Sequence, residues 1–515
     1  MKYSSYYITF LLLTTLVFAC KKEKTGGEVD VITKFETQLN PSRYAPLTAL
    51  VEIETEQEVA AAVRVIGKNG SASDVLYAVD GFGTALDIPV VGLYADYDNE
   101  VEILLFDVVG RLIQTRSVQI KTDALIRDLP QIDVSISNPD DIKPGMNLVN
   151  YFGHNGSFLP QRPFMFDAFG DIRWFLNYAG HPILGNLFSD NGLIRLQNGN
   201  MIFGNSNTVA LHEVDMLGEI INTFSLQGYG FHHTLIEKPN GNFLVTVNDP
   251  AKSTVEDLII EIERSSGNII NQWDLTQSLD SRRRAWPSNR ANQAFDWFHA
   301  NGLAYSASDD CIIVSGRTQG AVKLTATNEV VWILAPHKGW GTAGNNAQLS
   351  DFLLQPLDAQ GMAIDNVEVL NGNENHPDFE WNWYQHSPII LPDGNLMFFD
   401  NGENRNYSGP SNYSRAVEFQ VNESNQTVQQ IWSYGKERGS DTYSEIVSKV
   451  EYHADENTVL FAPGAIDLNG QQFGKVLEVD KSSGRILFEA TITAPLTGFG
   501  ITFHNVLRMP IYPER

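Results

Sequence analysis

The feature that most constrains this chain is a two-part unit that returns along its last two thirds. One part reads G-x-h-x-x-W/F, with h apolar, or a close variant. It stands as GDIRWF at Gly170, GEIINTF at Gly218, GNIINQW at Gly267, NEVVWIL at Asn328, QTVQQIW at Gln426 and GRILFEA at Gly484. From Gly218 on, each is preceded by an alternating run: LHEVD, IIEIE, AVKLT, AVEFQ or KVLEVD. The other part carries a tight turn into a second apolar run: LQNGNMIF, KPNGNFLV, SDDCIIV, LPDGNLMF and DENTVLF. Alternation with period two between Gly, Asn and Asp turns is the mark of short antiparallel strands. A repeat of roughly fifty residues, with insertions, fits the blades of a β-propeller.

Six outer-strand motifs predict six blades. The motif at Gly170 has no NGN-type strand ahead of it, and the C-terminal FHNVLRMPIYPE has no outer strand behind it. Pairing these two halves in one blade closes the ring and removes exposed sheet edges. Residues 31–132 are also strand-like, with short alternating runs such as VEIETEQEVAAAVRVIG and VGLYADYDNEVEILLFDVVG. They predict a small β-sandwich. The expected fold class is therefore all-β, with a sandwich domain (31–132), a proline-rich connector (133–150) and a six-bladed propeller (151–515).

The N-terminus reads as an export signal over residues 1–19. Lys2 supplies the positive start, and Ile8 to Phe18 is apolar but too short to span a bilayer. The stretch ends in LVFAC, a lipobox pattern that makes Cys20 the expected lipid attachment site, followed by a polar tether (20–30). The expected location is the cell envelope, as a periplasmic or outer-membrane lipoprotein held to the membrane through that anchor. The second cysteine, Cys311, lies in the apolar run CIIV and is expected to be a buried strand residue. With 36 basic against 62 acidic residues the net charge is −26, which argues against a nucleic-acid partner.

Candidate site residues emerge from the register of the inner strands. His233 and His386 each stand eight residues ahead of a turn glycine, Gly241 and Gly394. Aligning Cys311 with Phe243 brings Asn301 into the same register, with His299 two residues upstream, and Arg317 follows on the next strand. The closing segment adds Asn505 beside His504. A histidine at an inner-strand start is ordinarily a satisfied structural residue. Three in matching register with an arginine point instead to a shared site on one face. The long connectors 274–296 and 335–384 lie on that face. The first carries Arg282, Arg283, Arg284 and Arg290, a basic island suited to an anion unless it is simply a solvated loop. The second has the composition of a lid or pocket wall. His212 and His453 are off register and read as structural; His376 is left unassigned.

The segment DWFHANGLAYSASDDCIIVSGRTQGAV, together with HHTLIEKPNGN, QHSPIILPDGN, FDNGENR and RMPIYP, resembles the bacterial PAPS-independent arylsulfate sulfotransferases. The resemblance covers essentially the whole mature chain. It implies transfer of a sulfuryl group from a phenolic sulfate ester to a phenol, with no cofactor and no metal. Carried over by position, it makes His386 the transiently sulfurylated residue. His299, Asn301 and Arg317 would hold the sulfuryl and phenolic oxygens, and His233 would be the further active-site histidine, with His232 as its alternative. Asn505 is a further expected substrate contact. Thr318 stands where relatives often have His, His504 where they have Arg, and the disulfide of some relatives is absent.

The chemistry is sound on its own terms. Sulfuryl transfer resembles phosphoryl transfer, where positioning and charge stabilisation dominate. Arg317 offers a fixed fork of donors, a neutral imidazole at His386 offers a nucleophile, and His299 or His233 offers an acid and base. Trp297, Phe298, Trp381, Trp383 and Tyr384 are candidate walls for an aryl ring. Two other readings remain at this stage. One is a metal-dependent hydrolase or lyase, disfavoured because no carboxylate shares the histidines' register. The other is a non-catalytic propeller that binds a glycan or an envelope protein. A homodimer is left open.

Overall fold

The computed structural model describes residues 30–154, 161–190, 192–284, 295–408, 412–495 and 500–513, with backbone alone at 151–154. The signal segment and Cys20 lie outside these residues, as does Arg290.

The protein is all-β. In the N-terminal domain one long strand, Thr48–Val65, serves two layers. Its first half pairs with Ile32–Leu39 and Gly83–Val91, and its second half with Val75–Ala78 and Asp98–Phe106. Alternate residues such as Ala49, Val51, Ile53, Val63 and Val65 are buried between the layers, as period-two patterning demands.

Six sheets follow, and the ring closes as the sequence predicts. The C-terminal strand Gly500–Met509 pairs with Met146–His154, which continues through Phe164–Phe166 to Ile172–Phe175 in one four-stranded blade. The other blades begin with the inner strands Leu193–Arg195, Gly230–Glu237, Ala300–Ser306, His386–Ile390 and Lys449–His453. Successive inner strands touch around the axis. Asn505 joins the closing blade to the next through Nδ2, which donates to Leu193 O at 2.7 Å.

The repeated motifs have structural reasons. Four of the six outer strands carry a tryptophan that staples its blade to the next. Trp174 Nε1 donates to Met216 O (2.8 Å), Trp273 to Thr325 O (2.8 Å), Trp332 to Glu423 Oε1 (3.0 Å) and Trp432 to Lys481 O (2.9 Å). The NGN-type turn places its last Asn against a glutamate on the third strand: Asn200 on Glu213, Asn242 on Glu261 and Asn395 on Glu418. Fully burying one large apolar side chain contributes about 1.5–3 kcal/mol. Four tryptophans with satisfied N–H groups, and phenylalanines at the other two positions, are therefore a strong inter-blade clamp.

Two segments differ from expectation. The expected boundary between sandwich and connector falls inside Gln131–Ser137, a strand that adds to the outer edge of the last blade by pairing with Ile486–Thr493. Its alternation, QIDVSIS, is that of a strand, set between Pro130 and Pro139. The 335–384 insertion is packed rather than loose. Gln355–Leu357 pairs in parallel with Thr427–Tyr434, and Leu354, Ile364, Val369, Phe379, Trp381 and Trp383 are buried in one cluster.

Candidate active site

Four inner strands carry the predicted site residues, and each ladder slips in register where they sit. The shifts fall between Phe231 and Leu235, Ala300 and Gly302, His386 and Ile389, and Phe503 and Asn505. A bulge bends a strand and re-aims its side chains. His233 (φ 49°), His299 (φ 59°) and Ser387 (φ 54°) are left-handed, as are Asp190 (φ 50°) and Glu256 (φ 56°). Each such residue costs on the order of 1–3 kcal/mol, and such strain gathers where function needs it.

His386 is buried, and its Nδ1 lies 3.0 Å from Tyr384 O and 2.8 Å from Asn401 Oδ1. Asn401 has no freedom to turn its amide round, because Nδ2 donates to Ser444 O (2.8 Å) and Val447 O (3.0 Å). Both groups facing Nδ1 are therefore acceptors. The proton belongs on Nδ1, and Nε2 keeps its lone pair. Burial pushes the His386 pKa well below the usual histidine range against the pull of the Asn401 bond, and His504, Arg317 and His233 push it the same way. The imidazole is neutral.

His233 has the opposite character. Its Nδ1 lies 2.9 Å from Asp190 Oδ2, and its Nε2 lies 3.1 Å from Glu256 Oε2 and 3.0 Å from His299 Nε2. Burial alone lowers its pKa, but the Asp190 and Glu256 carboxylates outweigh it and push it up to about 10. Burial likewise opposes ionisation of those carboxyls, yet His504 and His233 hold Asp190, and His299 and His233 hold Glu256, well below the carboxylate range. Asp190 also reaches His504, with Oδ1 2.8 Å from Nε2. His299 Nδ1 lies 2.6 Å from Asp296 Oδ2 and 2.6 Å from Glu256 Oε2.

Arg317 joins this group from the next strand. Its backbone N–H donates to His299 O at 3.0 Å, and its Nη2 stands 4.0 Å from Asp296 Oδ2. Asn301 turns toward the strand of His386, donating Nδ2 to Gln385 O at 2.9 Å, while its Oδ1 meets no partner among the described residues. Asn505 Oδ1 is likewise unbonded. His232 is buried with neither ring nitrogen hydrogen-bonded, and burial lowers its pKa to about 4.

Three carboxylates join the histidines although none shares their inner-strand register. Asp190 comes from the segment ahead of Leu193–Arg195, Glu256 from that ahead of Leu258–Ile262, and Asp296 from three residues ahead of His299. None sits on an inner strand, so inner-strand register could not find them; Asp296 alone stood in a quoted motif. Asn401, just past Leu396–Asp400, was missed for the same reason.

Other candidates are drawn elsewhere. Trp297, Phe298, Trp381, Trp383 and Tyr384 are fully buried in the inter-blade cores. Tyr384 also borders the site, its ring centre 5.9 Å from the Arg317 guanidinium carbon. The basic island is divided. Arg283 is buried against Gln319 Oε1 (2.7 Å), Pro336 O and the face of Trp340, while Arg282 points outward beside Asp280. His212 is held between Thr208 and Thr223, and His453 faces both Thr458 and Glu478 with its Nδ1. His376 accepts the Asp378 backbone N–H within a turn. Cys311 is a buried free thiol, and burial raises its pKa to about 11.

The family model described as Arylsulfotransferase (ASST) matches residues 132–499, and the Arylsulfotransferase Ig-like domain matches residues 36–123. The arylsulfate sulfotransferase AssT of Escherichia coli O6:H1 is 29% identical over 553 aligned positions, covering 88% of this chain and 89% of that protein. The AssT of Lelliottia amnigena is 30% identical over 544 positions, with the same coverage. Among solved structures, a streptogramin B lyase overlaps at a TM-score of 0.32 and 10% identity, over 71% of this chain and 98% of that one. An auxiliary nutrient binding protein from Bacteroides thetaiotaomicron does so at 0.33 and 10%, over 89% and 84%. Overlaps that low carry no argument. The family match spans most of the propeller and its Ig-like domain, so this chain belongs to the arylsulfotransferase (ASST) family and is a transferase.

Proposed function

We propose that the protein moves a sulfuryl group from a phenolic sulfate ester to a phenolic acceptor in two half-reactions, through a sulfohistidine at His386. The observation that carries this reading is the fixed tautomer of His386, with Nδ1 tied to Tyr384 O and Asn401 Oδ1. A neutral, buried imidazole with Nε2 unprotonated is a ready nucleophile. In the first half-reaction Nε2 attacks sulfur, the N–S bond forms, and the S–O bond breaks with its electron pair on the phenolate oxygen. The acceptor phenol reverses these steps in the second.

The remaining groups supply charge and protons. Arg317 presents a planar fork to the sulfuryl oxygens. His233, held as an imidazolium between Asp190 and Glu256, adds a second cation where negative charge accumulates. The His233–His299 pair, 3.0 Å apart between Nε2 atoms, is suited to give a proton to the departing phenolate and to take one from the incoming phenol. Asn301 ties its strand to that of His386 through Gln385 O and keeps its second amide hydrogen for the sulfuryl or phenolic oxygens of the substrate. From the lipobox we further infer export and attachment to the envelope through Cys20.

The test is release of nitrophenol from para-nitrophenyl sulfate in EDTA, with and without added phenol, for the wild type and His386→Ala. Release that rises with phenol and vanishes in the variant supports the sulfohistidine route. Turnover indifferent to His386 would sink it, and release that requires a metal ion would favour the hydrolase alternative.

A further inference from the structure

The carboxylates brought to the histidines raise a question of proton supply. Asp296 Oδ2 and Glu256 Oε2 each lie 2.6 Å from the same atom, His299 Nδ1. One N–H cannot make two good hydrogen bonds at that distance in different directions. Glu256 Oε2 also faces His233 Nε2 at 3.1 Å. Among the described residues, buried Asp296 Oδ1 meets no hydrogen-bond partner, and neither ring nitrogen of buried His232 meets one. The region thus holds more acceptor atoms than protons to share among them.

We propose that Glu256, Asp296 and His299 form a site for one divalent transition-metal ion of zinc-like preference, with His232 and His233 at its edge. One ligand atom from each of Glu256, Asp296 and His299 lies within 4.8 Å of the other two, and the same holds for His232, His233 and Glu256. Tetrahedral zinc with bonds of about 2.0–2.2 Å sets its ligand atoms about 3.4 Å apart, so small side-chain movements suffice. Glu256 and Asp296 leave a charge that a dication balances, and its arrival displaces the proton that His233 holds against Glu256. Nitrogen with carboxylate oxygen favours zinc, cobalt or nickel over magnesium or calcium. The unbonded Asp296 Oδ1 and His232 nitrogens are the independent sign that these donors lack a partner.

The consequence for turnover rests on the sulfotransferase reading; the site itself does not. An ion here takes His299 and Glu256 out of the hydrogen-bond chain around His233 and sets a positive charge near Arg317, whose Nη2 is 4.0 Å from Asp296. The metal-loaded protein is then the slower sulfotransferase.

The test is calorimetric titration of the whole EDTA-treated and dialysed protein with zinc chloride, repeated on Asp296→Asn and Glu256→Gln, with thermal melting to verify folding. Cobalt(II) absorption on the wild type gives a second, optical readout of tetrahedral nitrogen and oxygen ligation. One saturable equivalent, weakened on the order of 100-fold or more in both folded variants, is the expected result. No saturable equivalent, or one that both variants keep, overturns the site. Should either variant fail to fold, zinc-edge anomalous diffraction from the wild type decides by placing the ion between these residues or elsewhere. Calorimetry and diffraction need no turnover, so a failed metal site and a failed sulfotransferase assignment are told apart. Turnover that zinc accelerates overturns the inhibitory consequence.

Discussion

Asn401 Oδ1 sits 2.8 Å from Nδ1 of His386, and the Asn401 amide nitrogen is held by two carbonyl oxygens. That relationship chooses the tautomer of the proposed nucleophile without adding charge. Asn401→Leu removes the orienting acceptor and the amide donor to Val447 O, while Ser444 O keeps the Ser414 hydroxyl. A wrong tautomer in a nucleophile–base pair is known to cost orders of magnitude. Here Tyr384 O still holds Nδ1, so the expected loss in kcat is about 10²-fold, with KM little changed. Steady-state kinetics with para-nitrophenyl sulfate checks this, and an unaltered kcat would remove Asn401 from the site.

Asp190 contacts His233 and His504 with its two oxygens. If the His233 imidazolium serves the reaction, kcat/KM has a basic limb near its pKa of about 10. Asp190→Asn removes an anion that favours the protonated ring, so the ring gives up its proton more readily. The limb is expected to move to lower pH by about 1–3 units. A pH profile of the variant that overlays the wild type would show that the charge on His233 is not needed.

The parts legible in the sequence are those written as local repeats. The outer-strand tryptophans, the NGN-type turns and the shared closing blade follow from short motifs whose partners lie at a fixed offset in the next strand or blade. The convergence of His233 and His299 was legible through inner-strand register, which survives because the bulges fall at equivalent places. The carboxylates were not, since Asp190 and Glu256 come from loops whose left-handed backbone leaves no periodic trace. Arg283 was misread for a related reason. Its charge suggests an exposed island, but the oxygens of Gln319, Pro336 and Lys338 that satisfy it are distant in sequence.

Gly316 makes room for a ring. A Cβ there would lie 2.6 Å from Phe298 Cε1 and Cζ, and Phe298 is fully buried. Phe298 directly precedes His299, and Gly316 directly precedes Arg317, so the ring cannot yield without moving both. Gly316→Ala is expected to cost about 1–3 kcal/mol through overpacking, and to lower kcat/KM as the two side chains lose their spacing. Denaturant unfolding and turnover measured on the same preparation check it. Lost stability with unchanged turnover would mean that the site tolerates the shift.

His212 gives the fold a specific acid sensitivity. Its ring nitrogens lie 2.8 Å from Thr208 Oγ1 and 3.1 Å from Thr223 Oγ1, hydroxyls that satisfy a neutral imidazole. Burial, reinforced by His181, lowers its pKa from the ordinary 6.5 to about 4. The unfolded chain therefore takes up a proton before the folded one does. The stabilisation is fully present above pH 6.5 and is lost as the pH falls toward 4, by up to about 3 kcal/mol. His233 has the opposite sign: its raised pKa stabilises below 6.5 and is lost as the pH rises toward 10. A wild-type profile alone therefore mixes the two. His212→Gln keeps a polar group between the threonines but does not titrate, so the difference in unfolding free energy between wild type and variant isolates the histidine. That difference should shrink between pH 6.5 and 4 and stay level from 7 to 9. A difference constant across the acid range would mean that His212 is protonated in the fold, with the threonine hydroxyls turned to accept its protons.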